Sequence, residues 1–308
     1  VPAPTPGPDP SSALRAGPWR HRDVSANGTR LHIAEAGEGP LVLLLHGFPE
    51  FWWTWRHQIP ALAEAGFHVA AVDLRGYGAS DKPPRGYDAF TLSEDIAGLV
   101  RALGASGATL IGHDWGGFLG WTLATMRPQM VDRLAVLSMP HPRCWAPAIA
   151  RPAGRQAAAS RYTFWFQLPW RPERLLVGND SAFVARLLHE WSGAGFPCAD
   201  DERIYRDAIR IPGVAHCSME YFRWLVRSTV RPDGHRFRTA ISRPVSAPTL
   251  QLHGTADPYT LPGTAAGSGR FVEAPYEWVP MERVGHFPHE EDPATVNEAL
   301  VAWLHATR

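Results

Sequence analysis

Apolar residues along this chain fall into two patterns that alternate: short, mostly apolar blocks, several of them bounded by glycine, proline or aspartate, and longer segments with helical spacing. The blocks at 30–36, 41–45, 67–72, 108–111 and 134–138 predict strands, and the segments at 54–64, 91–103 and 118–126 predict helices. Strands that are apolar throughout are buried on both faces. The stretch from 19 to 141 therefore predicts a mostly parallel sheet flanked by helices. From 142 to 243 the alternation stops, and helical stretches carry many aromatics, among them Tyr162, Phe164, Trp165, Phe166, Trp170, Trp191, Tyr221, Phe222 and Trp224. Strands at 249–252 and 276–279 and a helix from Pro293 to about residue 305 resume the first pattern, with proline in the first helical turn as a start signal. Residues 142–243 are thus expected to form a helical cap inserted into one core domain made of 19–141 and 244–308. Residues 1–18 hold prolines at 2, 4, 6, 8, 10 and 18 and are expected to be a flexible leader.

Composition narrows the partners. With 30 basic and 30 acidic residues, no net field favours nucleic acid or an anionic membrane surface. No run of 18 or more apolar residues is present, and the first twenty residues lack the charged start and apolar centre of a signal peptide. Cys144, Cys198 and Cys217 are odd in number and have no C-x-x-C spacing, which argues against a disulfide framework or a zinc site. The expectation is a cytoplasmic protein with free thiols, no metal and no cofactor. Its oligomeric state, a homodimer included, stays open.

The chemistry is concentrated in Gly112-His113-Asp114-Trp115-Gly116-Gly117, which follows the strand block at 108–111 and precedes a helix. Glycines on both sides allow the sharp turn of a nucleophile elbow, with aspartate where serine usually stands. A carboxylate presented there can attack carbon and form an ester; the alternative for Asp114 is a helix N-cap. Hydrolysis of such an ester needs a base, and His286, in a loop past the strand block at 276–279, suits that role. The imidazole in turn needs an acid to hold its tautomer. Asp257, past the block at 249–252, is the candidate, ahead of Asp81, Asp95 and Asp132. The order nucleophile, acid, histidine is the order known for this elbow. Backbone N–H groups of Phe48, in His46-Gly47-Phe48-Pro49, and of Trp115 are placed to form an oxyanion hole.

With these parts in place, residues 20–305 resemble the α/β-hydrolase fold enzymes that use an aspartate nucleophile, and most closely the soluble-type epoxide hydrolases. The motifs that carry the resemblance are His46-Gly47-Phe48-Pro49-Glu50, Asp73-Leu74-Arg75-Gly76-Tyr77-Gly78-Ala79-Ser80, the elbow, Met139-Pro140-His141-Pro142 and Gly285-His286-Phe287. The resemblance implies an epoxide substrate, apolar or aromatic, opened by backside attack of Asp114 while lid tyrosines donate to its oxygen. His286 with Asp257 then activates water to release a diol. Tyr162 matches the first lid tyrosine. For the second, the family's aromatic-Tyr-Arg step reads Tyr221-Phe222-Arg223 here, so alignment puts phenylalanine at the tyrosine position. Neighbours on a helix point about 100° apart, so Tyr221 serves only if the lid helix is rotated or shifted. The indole of Trp165 is the substitute donor. Trp165, Phe166, Phe222 and Phe287 are expected to contact substrate.

Two rivals use the same residues differently. A haloalkane dehalogenase shares the triad and has a tryptophan after the nucleophile, although Phe48 stands where some dehalogenases place a halide-binding asparagine. Its fluoroacetate branch has arginine at the position of Trp115. A ligand-binding protein that has lost catalysis is set against by the intact Asp114, Asp257 and His286.

Overall fold

The continuous apolar blocks become the interior strands of one eight-stranded sheet. In the computed structural model, which describes residues 7–151 and 153–307, the strands are β1 (Arg20–Ala26), β2 (Thr29–Ala36), β3 (Leu41–Leu45), β4 (His68–Val72), β5 (Ala108–His113), β6 (Val131–Leu137), β7 (Thr249–Gly254) and β8 (Tyr276–Met281). Their order is β1-β2-β4-β3-β5-β6-β7-β8. β1 and β2 run antiparallel to their neighbours, and all others are parallel. Every residue of β3, β5 and β7 is buried, as strands covered on both faces require. Because these strands are parallel, the loops after β3, β5, β7 and β8 open on one rim of the sheet, where α/β proteins bind ligands.

β1 escapes the sequence pattern because it is an edge strand with only Val24 and Ala26 buried. Its Arg20 and Arg22 pair with Glu35 of β2, so charge covers the open edge. The predicted helix at 54–64 is divided into a 3-10 turn (Trp52–Trp55) and a helix (Gln58–Glu64), with Pro60 in the latter's first turn, where its missing N–H costs nothing. Residues 7–18 differ from the flexible leader expected. Pro10–Ala13 form a 3-10 turn, Ala13 is buried, and its carbonyl accepts the Trp52 indole N–H at 2.8 Å. Residues 1–6 lie outside the described part.

Between β6 and β7 the described residues form helices and turns, including Tyr162–Trp165, Ala182–Trp191 and Val214–Arg227. These lie over the rim and turn aromatic side chains down onto it: Phe166 and Phe222 meet Phe48, and Trp191 meets His286. Among the described residues no helix is long and apolar enough to cross a membrane.

Candidate active site

Asp114 stands at the tip of the turn from β5 into the helix Trp115–Met126, with φ 47° and ψ −115°. Positive φ in a residue with a side chain costs about 1–3 kcal/mol, and the surroundings enforce it here. A Cβ on Gly116 would sit 1.9 Å from the Leu45 carbonyl oxygen, and one on Gly112 would sit 2.3 Å from that of Gly116, so both positions require glycine. The Asp114 side chain makes no N-cap bond. Instead its Oδ1 accepts the Phe48 N–H at 3.0 Å, while its Oδ2 lies 3.7 Å from His286 Nε2. Trp115 opens its helix, and the first N–H groups of a helix have no intrahelical partner, so the Trp115 amide next to Asp114 in the chain is not used by the helix.

His286 is fully buried, and its Nδ1 is 2.8 Å from Asp257 Oδ2. Asp257 is held in turn, because its Oδ1 accepts the N–H groups of Tyr259 and Thr260, each at 2.8 Å. The three residues expected to act together are therefore together. Asp81 instead pairs with Arg30, Asp95 binds Arg75 and Asn27, and Asp132 is exposed. Burial by itself lowers the affinity of His286 for a proton, but the carboxylates of Asp257 and Asp114 outweigh it and raise the pKa to about 10. The imidazole is thus an imidazolium in the free protein at neutral pH.

Beneath the triad lies a buried polar network to which the sequence reading assigned no role. His113 Nε2 is 2.8 Å from the His286 carbonyl oxygen, and its Nδ1 is 2.7 Å from Glu50 Oε2. Glu50 also accepts from Gly47 N–H and Thr54 Oγ1 and faces His289 Nε2 at 3.3 Å. Burial raises the Glu50 pKa, but the facing imidazoles of His113 and His289 hold it well below the ordinary carboxylate range. Glu50, His113 and His289 bring ligand-type atoms within 4.8 Å of one another. Those atoms are engaged with each other, with Gly47 and Thr54, and with the main chain of the base, so the cluster fits a positioning network better than an ion site. The sequence signal was Glu50 at the end of the motif after β3 together with His113 beside the nucleophile.

The lid residues separate into groups. Tyr162 is half-buried, with its hydroxyl shielded from solvent and lacking a well-formed hydrogen bond. Burial and the neighbouring Tyr259, Asp114 and Asp257 push its pKa well above the usual tyrosine value, so it stays a donor. Phe166 and Phe222 are buried and pack on each other with ring centroids 5.1 Å apart, and Phe222 also meets Phe48 and Trp115, each at 5.2 Å.

Two expectations are corrected. Tyr221 is buried, but its hydroxyl donates to the Arg75 carbonyl at 2.7 Å, because the helix Val214–Arg227 turns it toward Tyr77 and Tyr87 while Phe222 faces Phe48. Trp165 is 37% exposed and lies on the outer side of Phe166, so it neither lines the aromatic cluster nor substitutes as donor. Phe287 is buried and packs on His113, Phe196 and His286. Two residues that the site reading left out belong to the site. Trp191, noted in sequence only as a lid aromatic, stacks on Tyr259 with centroids 4.6 Å apart and planes 9° apart, and Tyr259 meets His286 at 4.8 Å. Tyr259 lies two residues past Asp257, a proximity that could have singled it out.

An elbow bearing a carboxylate, a buried histidine with its acid and a helical cover over one rim of a mainly parallel sheet define a hydrolase architecture. Residues 40–293 match the model of the alpha/beta hydrolase fold family, and the chain belongs to that family. It is 32% identical over 286 residues to the AB hydrolase superfamily protein YfhM of Bacillus subtilis, covering 91% of this chain and 96% of that one. It is 32% identical over 314 residues to epoxide hydrolase A of Mycobacterium tuberculosis, covering 92% of this chain and 96% of the other. The crystal structure of epoxide hydrolase A from Mycobacterium thermoresistibile superimposes with a TM-score of 0.79 at 31% identity, over 93% of this chain and 98% of that one. Within the fold family, the chain belongs with the epoxide hydrolases.

Proposed function

We propose that this protein hydrolyses apolar, aryl-bearing epoxides to diols through a covalent ester on Asp114. Epoxide hydrolysis in general is what its relatives are named for. The observation that carries the mechanism is the disposition of Asp114. One oxygen is held by the Phe48 N–H and the other faces His286 across 3.7 Å, too long for a hydrogen bond, which supports Oδ2 as the attacking atom. Oδ2 attacks a ring carbon, the C–O bond on the far side breaks, and the Tyr162 hydroxyl stabilises the departing oxygen. The alkoxide takes a proton through the tyrosine hydroxyl, which the His286 imidazolium restores, so that the now neutral His286 accepts a proton from water as the water adds to the ester carbonyl. The tetrahedral oxyanion is held by the amides of Phe48 and Trp115, each donor worth about 3 kcal/mol. Collapse frees the diol and restores the Asp114 carboxylate.

The test uses styrene oxide. Wild type is expected to release phenylethanediol, Asp114→Asn to release none, and His286→Gln to gain the mass of one substrate on Asp114 in intact-protein and peptide mass spectra. An Asp114→Asn rate equal to wild type overturns the mechanism. A second reading, haloalkane dehalogenation, is favoured by one observation: the Trp115 indole N–H is buried without a hydrogen-bond partner, as a halide donor would be. Bromide release from 1-bromobutane faster than diol release from styrene oxide would establish it instead.

A further inference from the structure

Given the epoxide reading above, on which the argument rests, the ring oxygen needs hydrogen-bond donors opposite Asp114, and the lid supplies fewer than the resemblance implies. Phe222 has no hydroxyl, Tyr221 has committed its proton to the Arg75 carbonyl, and Trp165 faces outward. Tyr162 is left as the lid's donor. We propose that the second donor comes from the core: the hydroxyl of Tyr259, in the loop that carries the triad acid, pairs with Tyr162 to hold and protonate the epoxide oxygen.

Four observations place it there. The Tyr259 and Tyr162 rings are 5.1 Å apart, and the Tyr162 hydroxyl is shielded from solvent without a committed hydrogen-bond partner. Tyr259 is only 4% exposed, stacked flat on Trp191, and its ring meets His286 at a right-angled contact of 4.8 Å. Its main-chain N–H is bonded to Asp257 Oδ1, so the turn that orients the acid also orients the tyrosine. Burial and the carboxylate of Asp114 raise its pKa well above the usual value, which keeps the phenol protonated at neutral pH and makes its phenolate a strong base.

The proton balance then closes within the site. As the bond from Asp114 Oδ2 to carbon forms and the ring C–O bond breaks, the phenol proton passes to the alkoxide. The resulting phenolate is reprotonated by the His286 imidazolium. That step leaves His286 neutral and able to take a proton from water for the second half-reaction. The device differs from a pair of lid tyrosines in one physical respect: one donor is fixed to the turn that carries Asp257.

Tyr259→Phe keeps the ring stack and removes only the oxygen, and the test is its single-turnover kinetics with styrene oxide, followed by tryptophan fluorescence and acid quench with mass detection of the ester. Ester formation is expected to slow by about 10²-fold, the cost of one preorganised donor, with ester hydrolysis within about threefold of wild type and an unchanged melting curve. Tyr221→Phe is expected to leave ester formation within about threefold. Ester formation in Tyr259→Phe within about twofold of wild type overturns the assignment, and so does slowing of both steps equally, which is the mark of a packing role. If wild-type protein itself forms neither ester nor diol, the epoxide reading fails and the Tyr259 proposal falls with it; a normal wild type beside a normal Tyr259→Phe sinks the proposal alone.

Discussion

The main-chain N–H of His286 donates to the carbonyl of Trp191 over 2.7 Å. The helical segment over the rim is therefore bonded to the proposed base itself. Beside this bond, the Glu291 carboxylate accepts the N–H groups of Gly193, from the lid, and of Gly285 and Phe287, from the base loop, at 2.7, 2.7 and 2.9 Å. One side chain thus joins both sides of the site. Glu291→Ala leaves three amides without their acceptor and is expected to lower unfolding stability by about 3 kcal/mol, with Glu291→Gln recovering about half. Urea denaturation of the two variants checks this.

Tyr162→Phe is expected to slow ester formation by about 10²-fold and ester hydrolysis far less, because in the proposed mechanism its hydroxyl acts on the oxygen that leaves in the first step. Rapid-quench measurement of both steps separates them. Equal slowing of the two would remove Tyr162 from its assigned role.

The two half-reactions should respond differently to pH. In the free protein two carboxylates raise His286 to about 10. Once Asp114 is esterified it carries no charge, one of those carboxylates is gone, and the value must fall. Hydrolysis of the ester is therefore expected to rise with pH along a single limb whose midpoint lies below 10, whereas ester formation stays level through neutral pH while Tyr162 and Tyr259 remain protonated. Single-turnover profiles of each step are the measurement, and a hydrolysis limb centred above 10 would contradict the argument.

The same ion pairing bears on folding. Since His286 titrates higher in the folded protein than its ordinary value of 6.5, its contribution to stability is complete below about pH 6.5 and is lost as pH rises toward about 10. The stability difference between wild type and His286→Gln, followed by denaturant unfolding, is expected to shrink across that interval.

Gly116→Ala tests the geometry of the elbow. The added Cβ meets the Leu45 backbone oxygen at 1.9 Å, a group that cannot swing away. The expected outcome is a loss of more than about 3 kcal/mol or no soluble protein, read from expression and thermal unfolding.

Much of this site was legible from local pattern. Continuous apolar blocks predicted the buried strands, glycines around Asp114 predicted the elbow, and positions just past strand ends singled out Asp257 and His286, because each of these depends on a few neighbouring residues and the parallel sheet then gathers strand ends on one rim. What the chain could not show by itself were relations between segments far apart. Whether Tyr221 or Phe222 faced Phe48 depended on the rotation of a lid helix, and adjacent positions on a helix differ by about 100°. Tyr259 meets Tyr162 and Trp191 from distant parts of the chain, and Glu50 reaches His113 and His289 through the interior. Periodicity reports which face of an element is apolar; only the packed structure decides which element that face meets and where a hydroxyl spends its proton.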